Sequence, residues 1–274
     1  MPESAEVKLS VDLIRPLLKD QILINLQPTE NGRYNGANYP EGYLSFKEKL
    51  KINPIKILDI KCKGKFIYWI LENDNYIFNT YGMTGQLSSI RGKHPCFEFQ
   101  LANQSSIYFN DPRHFGTIKF VDNKQQLNKK LNELGWDILS EDLTLYQNKL
   151  ISNIQRSNKC IGTLLLDQKL FGGSGNYIRA ESLYLTKLSP WRLGYSLSKD
   201  EILNLCHHLT AVAQAAYDQQ GASFSTFKSP FGQEGKYSTK FLIYKQLHDP
   251  EGNPIKRETT PEGRTIHWSP TIQK

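Results

Sequence analysis

The chain opens Met1-Pro2-Glu3-Ser4-Ala5-Glu6, a start whose residue types suit covalent chemistry. Methionine aminopeptidase accepts a small second residue such as proline, so the expected mature terminus is Pro2 with a free secondary amine. Reference α-amino pKa values of about 7.7–8.0 leave roughly 10–20% of such an amine unprotonated at pH 7, against under about 0.1% of an ordinary lysine. An amine of this kind can attack C1′ of a deoxyribose and form an iminium, while a nearby carboxyl carries protons to the ring oxygen. Glu3 is placed for that second role, with Glu6 as a supporting carboxylate. Taken alone, these residues read more plainly as a frayed, solvated terminus. The decision falls to the rest of the chain.

The segment GTLLLDQKLFGGSGNYIRAESLY, residues 162–184, is a second candidate. Glycines beside an asparagine at a helix start present backbone N–H groups to an anion, and Asn176 adds a side-chain donor. A dinucleotide-binding loop is excluded: Ile178 stands where the third glycine would be, and a run expected to be helical, LLLDQK, precedes the glycines in place of a strand. A plain turn remains open at this point. His207 and His208 are adjacent in a predicted helix, hence about 100° apart and no paired metal site.

Elements able to position these residues follow from periodicity. Up to about residue 120, QILINL, IKILDIKCKGKFIYWIL, NYIFNTYGMTGQLSSI and CFEFQLANQSSIYFNDPR predict a β-rich half, sandwich or barrel. Beyond it the period lengthens: Leu127, Leu131 and Leu134 share a helical face, and Leu143, Tyr146, Leu150 and Ile154 repeat the pattern. A helix is predicted over 199–219, with Ser198 and Glu201 as a capping box and Gly221 past its end. After residue 240, FLIYKQL, IKRETT and RTIHW read as short strands joined by DPEGNP and PEG turns. The expectation is an α+β fold: a sandwich-like domain over 1–120, a helical domain over 121–239 and a terminal hairpin over 240–274.

Composition narrows the partners. With 39% hydrophobic residues in 274, the chain can bury one large core or two ordinary ones. A net charge of +7 favours a polyanion, nucleic acid included. Cys62, Cys96, Cys160 and Cys206 lie too far apart for CxxC pairs, so reduced, structural thiols are expected. No stretch approaches the ~20 apolar residues of a membrane span, and no basic flank and apolar run mark a secretion signal; an intracellular protein is expected.

Five motifs in order then carry a resemblance: PE..EV at the start, GK at Gly64 and Lys65, GMTGQL from Gly82, NDPRHFG from Asn110, and GRTIHW from Gly263, with the 162–184 segment resembling a helix-two-turn-helix signature. Together they resemble the Fpg/Nei family of DNA glycosylases (formamidopyrimidine-DNA glycosylase and endonuclease VIII), and within it the Nei-like branch with a zincless finger. Two departures stand out: Ser4 and Ala5 replace the family's usual Gly-Pro, and no cysteine follows Cys206, so family-type zinc ligation is not possible in the hairpin.

The resemblance implies a bifunctional glycosylase and AP lyase of base excision repair, working without metal or organic cofactor. Pro2 would be the nucleophile, Glu3 the proton-transfer carboxyl, Lys65 a cation near the sugar or its phosphate, and Glu6 an orienting carboxylate. Met83, Arg113 and Phe115 would fill the stack when a nucleotide is extruded, and Asn176 and Arg264 would grip flanking phosphates. Read without the family, Lys65 is a solvated turn lysine, and Met83 and Phe115 are core residues. The implied partner is damaged double-stranded DNA, with single-stranded or bubble DNA as an extension, bound by a monomer at the genome. Oxidised pyrimidines and hydantoins are the first expectation for the lesion, 8-oxoguanine and formamidopyrimidines the second. A non-catalytic DNA-binding module is the rival from another class.

Overall fold

The structure is a computed structural model that describes residues 2–30, 32–36, 38–222 and 236–274. Helix α1, Ser4–Leu18, comes first and leads into β1, Ile22–Pro28, and helix α2, Tyr43–Ile52. Six strands follow: β2, Ile55–Lys63; β3, Phe66–Leu71; β4, Tyr76–Thr80; β5, Gln86–Ser88; β6, Pro95–Leu101; β7, Ser106–Asn110. Strand β8, Thr117–Val121, closes the set. The order is β5-β7-β6-β1-β2-β3-β4-β8 with antiparallel neighbours. Strands β1 and β2 pair over only two positions, Ile22 with Lys56 and Leu23 with Ile55, so the sheet falls into two halves. Trp69 of β3 and Phe99 of β6 are not strand neighbours, yet their rings lie 4.8 Å apart. The halves therefore face each other across one core, as aligned sandwich layers do.

Helices α1 and α2 were not anticipated within the β-rich half. Val7, Val11, Ile14 and Leu18 of α1 recur at helical spacing and all enter the sandwich core. Tyr43, Phe46 and Leu50 do the same for α2 amid charged residues. Short helices of this kind are stabilised by the sheet they cover more than by their own propensity.

Helix α3, Lys124–Glu133, packs Leu127 and Leu131 onto Phe66, Tyr76 and Val121 of the sandwich. A short strand β9, Trp136–Asp137, helix α4, Gln147–Gln155, and helix α5, Ile161–Leu164, come next. Strand β10, Phe171–Gly172, pairs in parallel with β9 and delivers the chain to α6, Asn176–Leu185. Helix α7, Lys199–Asp218, carries the expected capping box: Ser198 Oγ accepts from Glu201 N at 3.2 Å, and Glu201 accepts from Ser198 N at 2.8 Å. These helices share a second core, which Ala5 of α1 also enters.

Two expected elements differ. LLLDQK is not helical beyond Leu164: Asp167 C=O accepts from Leu170 and Phe171, and Asp167 Oδ1 caps Lys169 N at 2.9 Å, a turn that bends the chain into β10. FLIYKQL is not a strand. Its donors go to one buried carboxylate, with Leu242, Ile243 and Tyr244 N–H bonding Glu181 at 2.9, 3.1 and 2.7 Å. A side chain thus satisfies the backbone groups that a ladder would otherwise need. The hairpin is formed by β11, Lys256–Thr259, and β12, Thr265–Trp268, in antiparallel register.

Candidate active site and nucleic-acid interface

The start of the chain is not frayed. Pro2, Glu3 and Glu6 are buried, and each carboxylate is held by a different set of donors. Glu3 meets the N-terminus of α6, accepting from Tyr177 N at 3.0 Å and Ile178 N at 3.2 Å. Gly175 permits this approach, since a Cβ there would overlap the Glu3 carboxyl. Glu6 accepts from Glu3 N at 2.8 Å, from Tyr177 Oη at 3.0 Å and from Ala222 N at 2.8 Å. It thereby ties the first turn of α1 to α6 and to the end of α7. Ser4 N–H adds a bond of 3.0 Å to Gly173 C=O.

Burial sets the charge states. It pushes Glu3 up to about 7 despite the opposing Lys65 charge and the two helix N–H groups, with Glu6 adding to the rise. Glu6 is also raised by burial, against its four hydrogen-bond donors. Lys65 is lowered by burial, opposed by Glu3 and Glu6 and reinforced by Arg264 and Arg179. A carboxyl near neutrality beside a cation is the pairing expected of a proton-transfer site.

Lys65 is not a solvated turn lysine. It is half-buried, donates to Ser174 C=O at 2.6 Å and lines a cavity of 280 Å³ with Pro2, Phe66, Thr80, Gly82 and Gln168. The turn that carries it is tied to β9, where Gly64 N–H donates to Asp137 Oδ2 at 2.9 Å. Gly64 has φ +56° and approaches Gly172 and Gly173 so closely that a Cβ would sit 2.6 Å from Gly173 N.

Met83 is half-buried and Phe115 is 53% exposed, so Phe115 is not a core residue. The two come from facing loops locked by buried Asp111, which accepts from Thr84 Oγ1 at 2.5 Å and Gly116 N at 2.6 Å. Arg113, exposed on the same loop, lies with its guanidinium carbon 5.0 Å from the Phe115 ring centre. The Phe115 ring thus lies beside the Arg113 cation, on a loop whose backbone at Phe115 closely approaches Gly82, the residue before Met83.

Asn176 begins α6, and Arg264 is exposed in the turn of the β11–β12 hairpin. Both are positioned by a residue not singled out from sequence. Arg179 is fully buried and donates to Asn176 Oδ1 at 3.2 Å, Thr265 C=O at 2.9 Å and Gly162 C=O at 2.9 Å. Burial lowers it to about 10, with Glu3 opposing. Tyr177 was likewise missed, although it donates to both glutamates. No local sequence signal marks either residue: the burial that obliges Arg179 to find acceptors follows from the fold.

The hairpin is held by protein groups. Trp191 and Trp268 both donate their indole N–H to Glu258 Oε2, at 3.1 and 2.6 Å. Asp249 accepts from Glu251 N, Asn253 N and Ser269 Oγ at 3.0, 2.8 and 2.9 Å, closing the preceding turn. Among the described residues no three His, Cys, Asp or Glu side chains converge as a metal cluster. No helix among them is long and apolar enough to cross a membrane.

Comparison with known proteins places this geometry. Residues 1–118 match the model of the formamidopyrimidine-DNA glycosylase N-terminal domain, and residues 134–228 match that of the formamidopyrimidine-DNA glycosylase H2TH domain. The formamidopyrimidine-DNA glycosylase of Wolbachia pipientis subsp. Culex pipiens is 30% identical over 71% of this chain and 72% of its own. The chain belongs to the Fpg/Nei family. The formamidopyrimidine-DNA glycosylase of Thermus thermophilus is 29% identical over 100% of this chain and 98% of its own. The crystal structure of that organism's MutM (Fpg) protein superposes with a TM-score of 0.84, at 28% identity, covering 99% and 98% of the two chains. A Lactococcus lactis Fpg mutant in complex with Fapy-dG DNA, 23% identical with TM-score 0.85 over both whole chains, shares the fold. With the family comes the enzyme class: a DNA glycosylase with AP lyase activity, of base excision repair.

Proposed function

We propose that this enzyme removes oxidised bases through a Schiff base at the Pro2 amine and then cleaves the strand by β,δ-elimination. The observation that carries the reading is the buried Glu3 carboxyl, brought to about 7 beside Lys65 and next in sequence to Pro2. After Met1 is removed, the Pro2 nitrogen attacks C1′ and the C1′–N bond to the base breaks, the departing base taking up the proton the amine loses. Protonated Glu3 then gives its proton to the ring oxygen as the C1′–O4′ bond opens to the iminium. The iminium then makes the C2′ proton acidic; loss of that proton expels the 3′ phosphate, and a second elimination expels the 5′ phosphate. Lys65 holds the phosphate or the sugar during these steps. Glu6 orients the first turn of α1 through Glu3 N–H and Tyr177.

Asn176 and Arg264 hold phosphates beside the lesion, and Met83, Arg113 and Phe115 fill the gap left by the extruded nucleotide. The protein acts as a monomer on damaged duplex in the genome compartment, with bubble or single-stranded DNA as further substrates. Oxidised pyrimidines and hydantoins are the first lesion class, from the likeness of the cysteine-free hairpin to the zincless finger of the Nei-like branch. A second reading, formamidopyrimidines and 8-oxoguanine, is favoured by the names of the curated relatives. Borohydride trapping on an abasic or thymine glycol duplex tests the chemistry: an adduct at Pro2 is expected, and an adduct at a lysine while Pro2 is intact sinks it. A panel of lesion duplexes separates the two substrate readings by relative excision rate.

A further inference from the structure

The hairpin turn carries a carboxylate on a face read as meeting a polyanion. Glu262 stands exposed two residues before Arg264, and an ionised side chain there repels the phosphates that Arg264 holds in the proposed mechanism. The carboxylate is nevertheless tied to the protein. Its Oε2 accepts from Thr163 Oγ1 at 2.7 Å, although Thr163 lies 99 positions upstream, in α5. Thr163 is buried, and Cys160 Sγ lies 3.1 Å from its hydroxyl. With the hydroxyl proton given to Glu262, the thiol is the donor to Thr163. Burial opposes ionisation of Glu262, but Thr163, the Glu262 N–H and Thr260 outweigh it and hold the carboxyl below the usual carboxylate range, so the side chain is an anion at neutral pH. The turn itself is closed: Thr260 N–H and Oγ1 both donate to Arg264 C=O, at 2.9 and 3.0 Å, and Gly263 N–H donates to Thr260 C=O at 2.8 Å. On its far side Arg179 of α6 holds Thr265 C=O at 2.9 Å. Arg264 thus lies between two ties to the helical half, one through Glu262 to α5 and one through Thr265 to α6.

We propose that Glu262 is a positioning residue for Arg264: through Thr163 it pins the hairpin turn to α5, so that the arginine meets the strand that Asn176 holds. This role rests on the reading that Arg264 grips a phosphate. An acidic side chain on a DNA-facing turn lowers affinity by repulsion, and orientation offsets that loss, because a cation already held in place binds without first ordering the turn that carries it. Charge and placement therefore act in opposite directions when Glu262 is removed. If the carboxylate acts by charge alone, its loss tightens DNA binding; if it positions Arg264, its loss weakens binding.

Dissociation constants for an uncleavable tetrahydrofuran-containing duplex test this, measured with wild type, Glu262→Ala, Glu262→Gln, Thr163→Val, Arg264→Ala and the double variant of Glu262→Ala with Arg264→Ala. Glu262→Ala is expected to bind about fivefold more weakly than wild type, and Thr163→Val, which breaks the tie but keeps the charge, at least as weakly. Glu262→Gln keeps a carbonyl oxygen for Thr163 and drops the charge, so it should bind within about twofold of wild type or more tightly. In the Arg264→Ala background Glu262→Ala should bring no further loss, because the side chain it positions is gone. Affinity of Glu262→Ala equal to or above wild type overturns the positioning role. So does native affinity of Thr163→Val, which shows that the tie to α5 has no part in binding. A loss of the same size in the Arg264→Ala background also overturns it, since Glu262 then supports the hairpin as a whole and not the arginine. Native affinity of Arg264→Ala alone instead removes the phosphate reading on which the role rests.

Discussion

At Glu3, two demands meet in one side chain. Burial favours the neutral acid, whereas the α6 N-terminus and Lys65 favour the anion, and the balance lies at about 7. Half the molecules then hold an acid ready at neutral pH. Glu3→Gln keeps a side chain of similar shape but removes the transferable proton, so base release is expected to fall at least about a hundredfold in single turnover while affinity for an abasic-analogue duplex changes less than about fivefold. Native-rate excision by this variant removes Glu3 from the mechanism.

Stability supplies an independent reading of the same group. Its pKa is higher folded than the ordinary 4.5, so the folded state binds the extra proton and stability is lost as pH rises from about 4.5 through about 7. Over that span the loss is of order 3 kcal/mol. Glu3→Gln does not titrate, so its Tm relative to wild type should climb between pH 5 and about pH 7 and level off by pH 8, whatever constant offset the amide introduces. A Tm difference that is flat with pH would falsify the shifted carboxyl.

Among elements, the loop pair around Asp111 and the turn of the hairpin carry Arg113, Phe115 and Arg264 as exposed side chains outside both cores, where the proposed mechanism uses them. Phe115 is more than half exposed, so Phe115→Ala should leave Tm within about 1 °C while slowing excision from duplex more than from single strands, because only duplex imposes unstacking, a few kcal/mol. Equal slowing on both substrates assigns the ring a different task. In the hairpin, Glu258 accepts from two indole N–H groups, so Glu258→Ala should lower stability by about 1–3 kcal/mol through the two donors left unpaired. Chelator should leave wild-type Tm and activity unchanged; a drop in either on chelation shows that metal holds the hairpin.

This is also the scale at which the limits of sequence reading are clearest. The capping box at Ser198 and Glu201, the β2–β3 turn around Gly64 and the β11–β12 hairpin depend on neighbours a few residues away, and they were legible. Tyr177 and Arg179 depend on Glu6 and Thr265, 171 and 86 positions distant, and no local pattern reports such a partner. FLIYKQL misled because alternating apolar residues describe a strand, while Glu181, some 60 positions upstream, satisfied its N–H groups instead.

Considered whole, the described residues form two main cores, and the proposed chemistry lies in the seam between them. Glu3 and Glu6 leave the sandwich side to bind α6 and Ala222, Lys65 reaches Ser174, and Tyr217 of α7 donates to Asp12 of α1 at 2.8 Å. In the proposed mechanism the relative placement of the two halves is therefore a catalytic variable, and at Gly64 they meet backbone against backbone. A Cβ there would sit 2.6 Å from Gly173 N and 2.7 Å from Gly172 C, with no flexible side-chain end to move aside, at a φ of +56°. Gly64→Ala should cost at least about 2 kcal/mol, the left-handed penalty plus separation of the seam, and reduce excision by about a hundredfold or more. Gly252→Ala is the matched control: φ is +85° with nothing within 4 Å of its Cβ, so it carries the backbone penalty alone, about 1 kcal/mol, with native excision. If Gly64→Ala behaves like Gly252→Ala in both Tm and rate, the seam tolerates displacement and the close approach of the two halves is not what aligns Lys65 with Glu3.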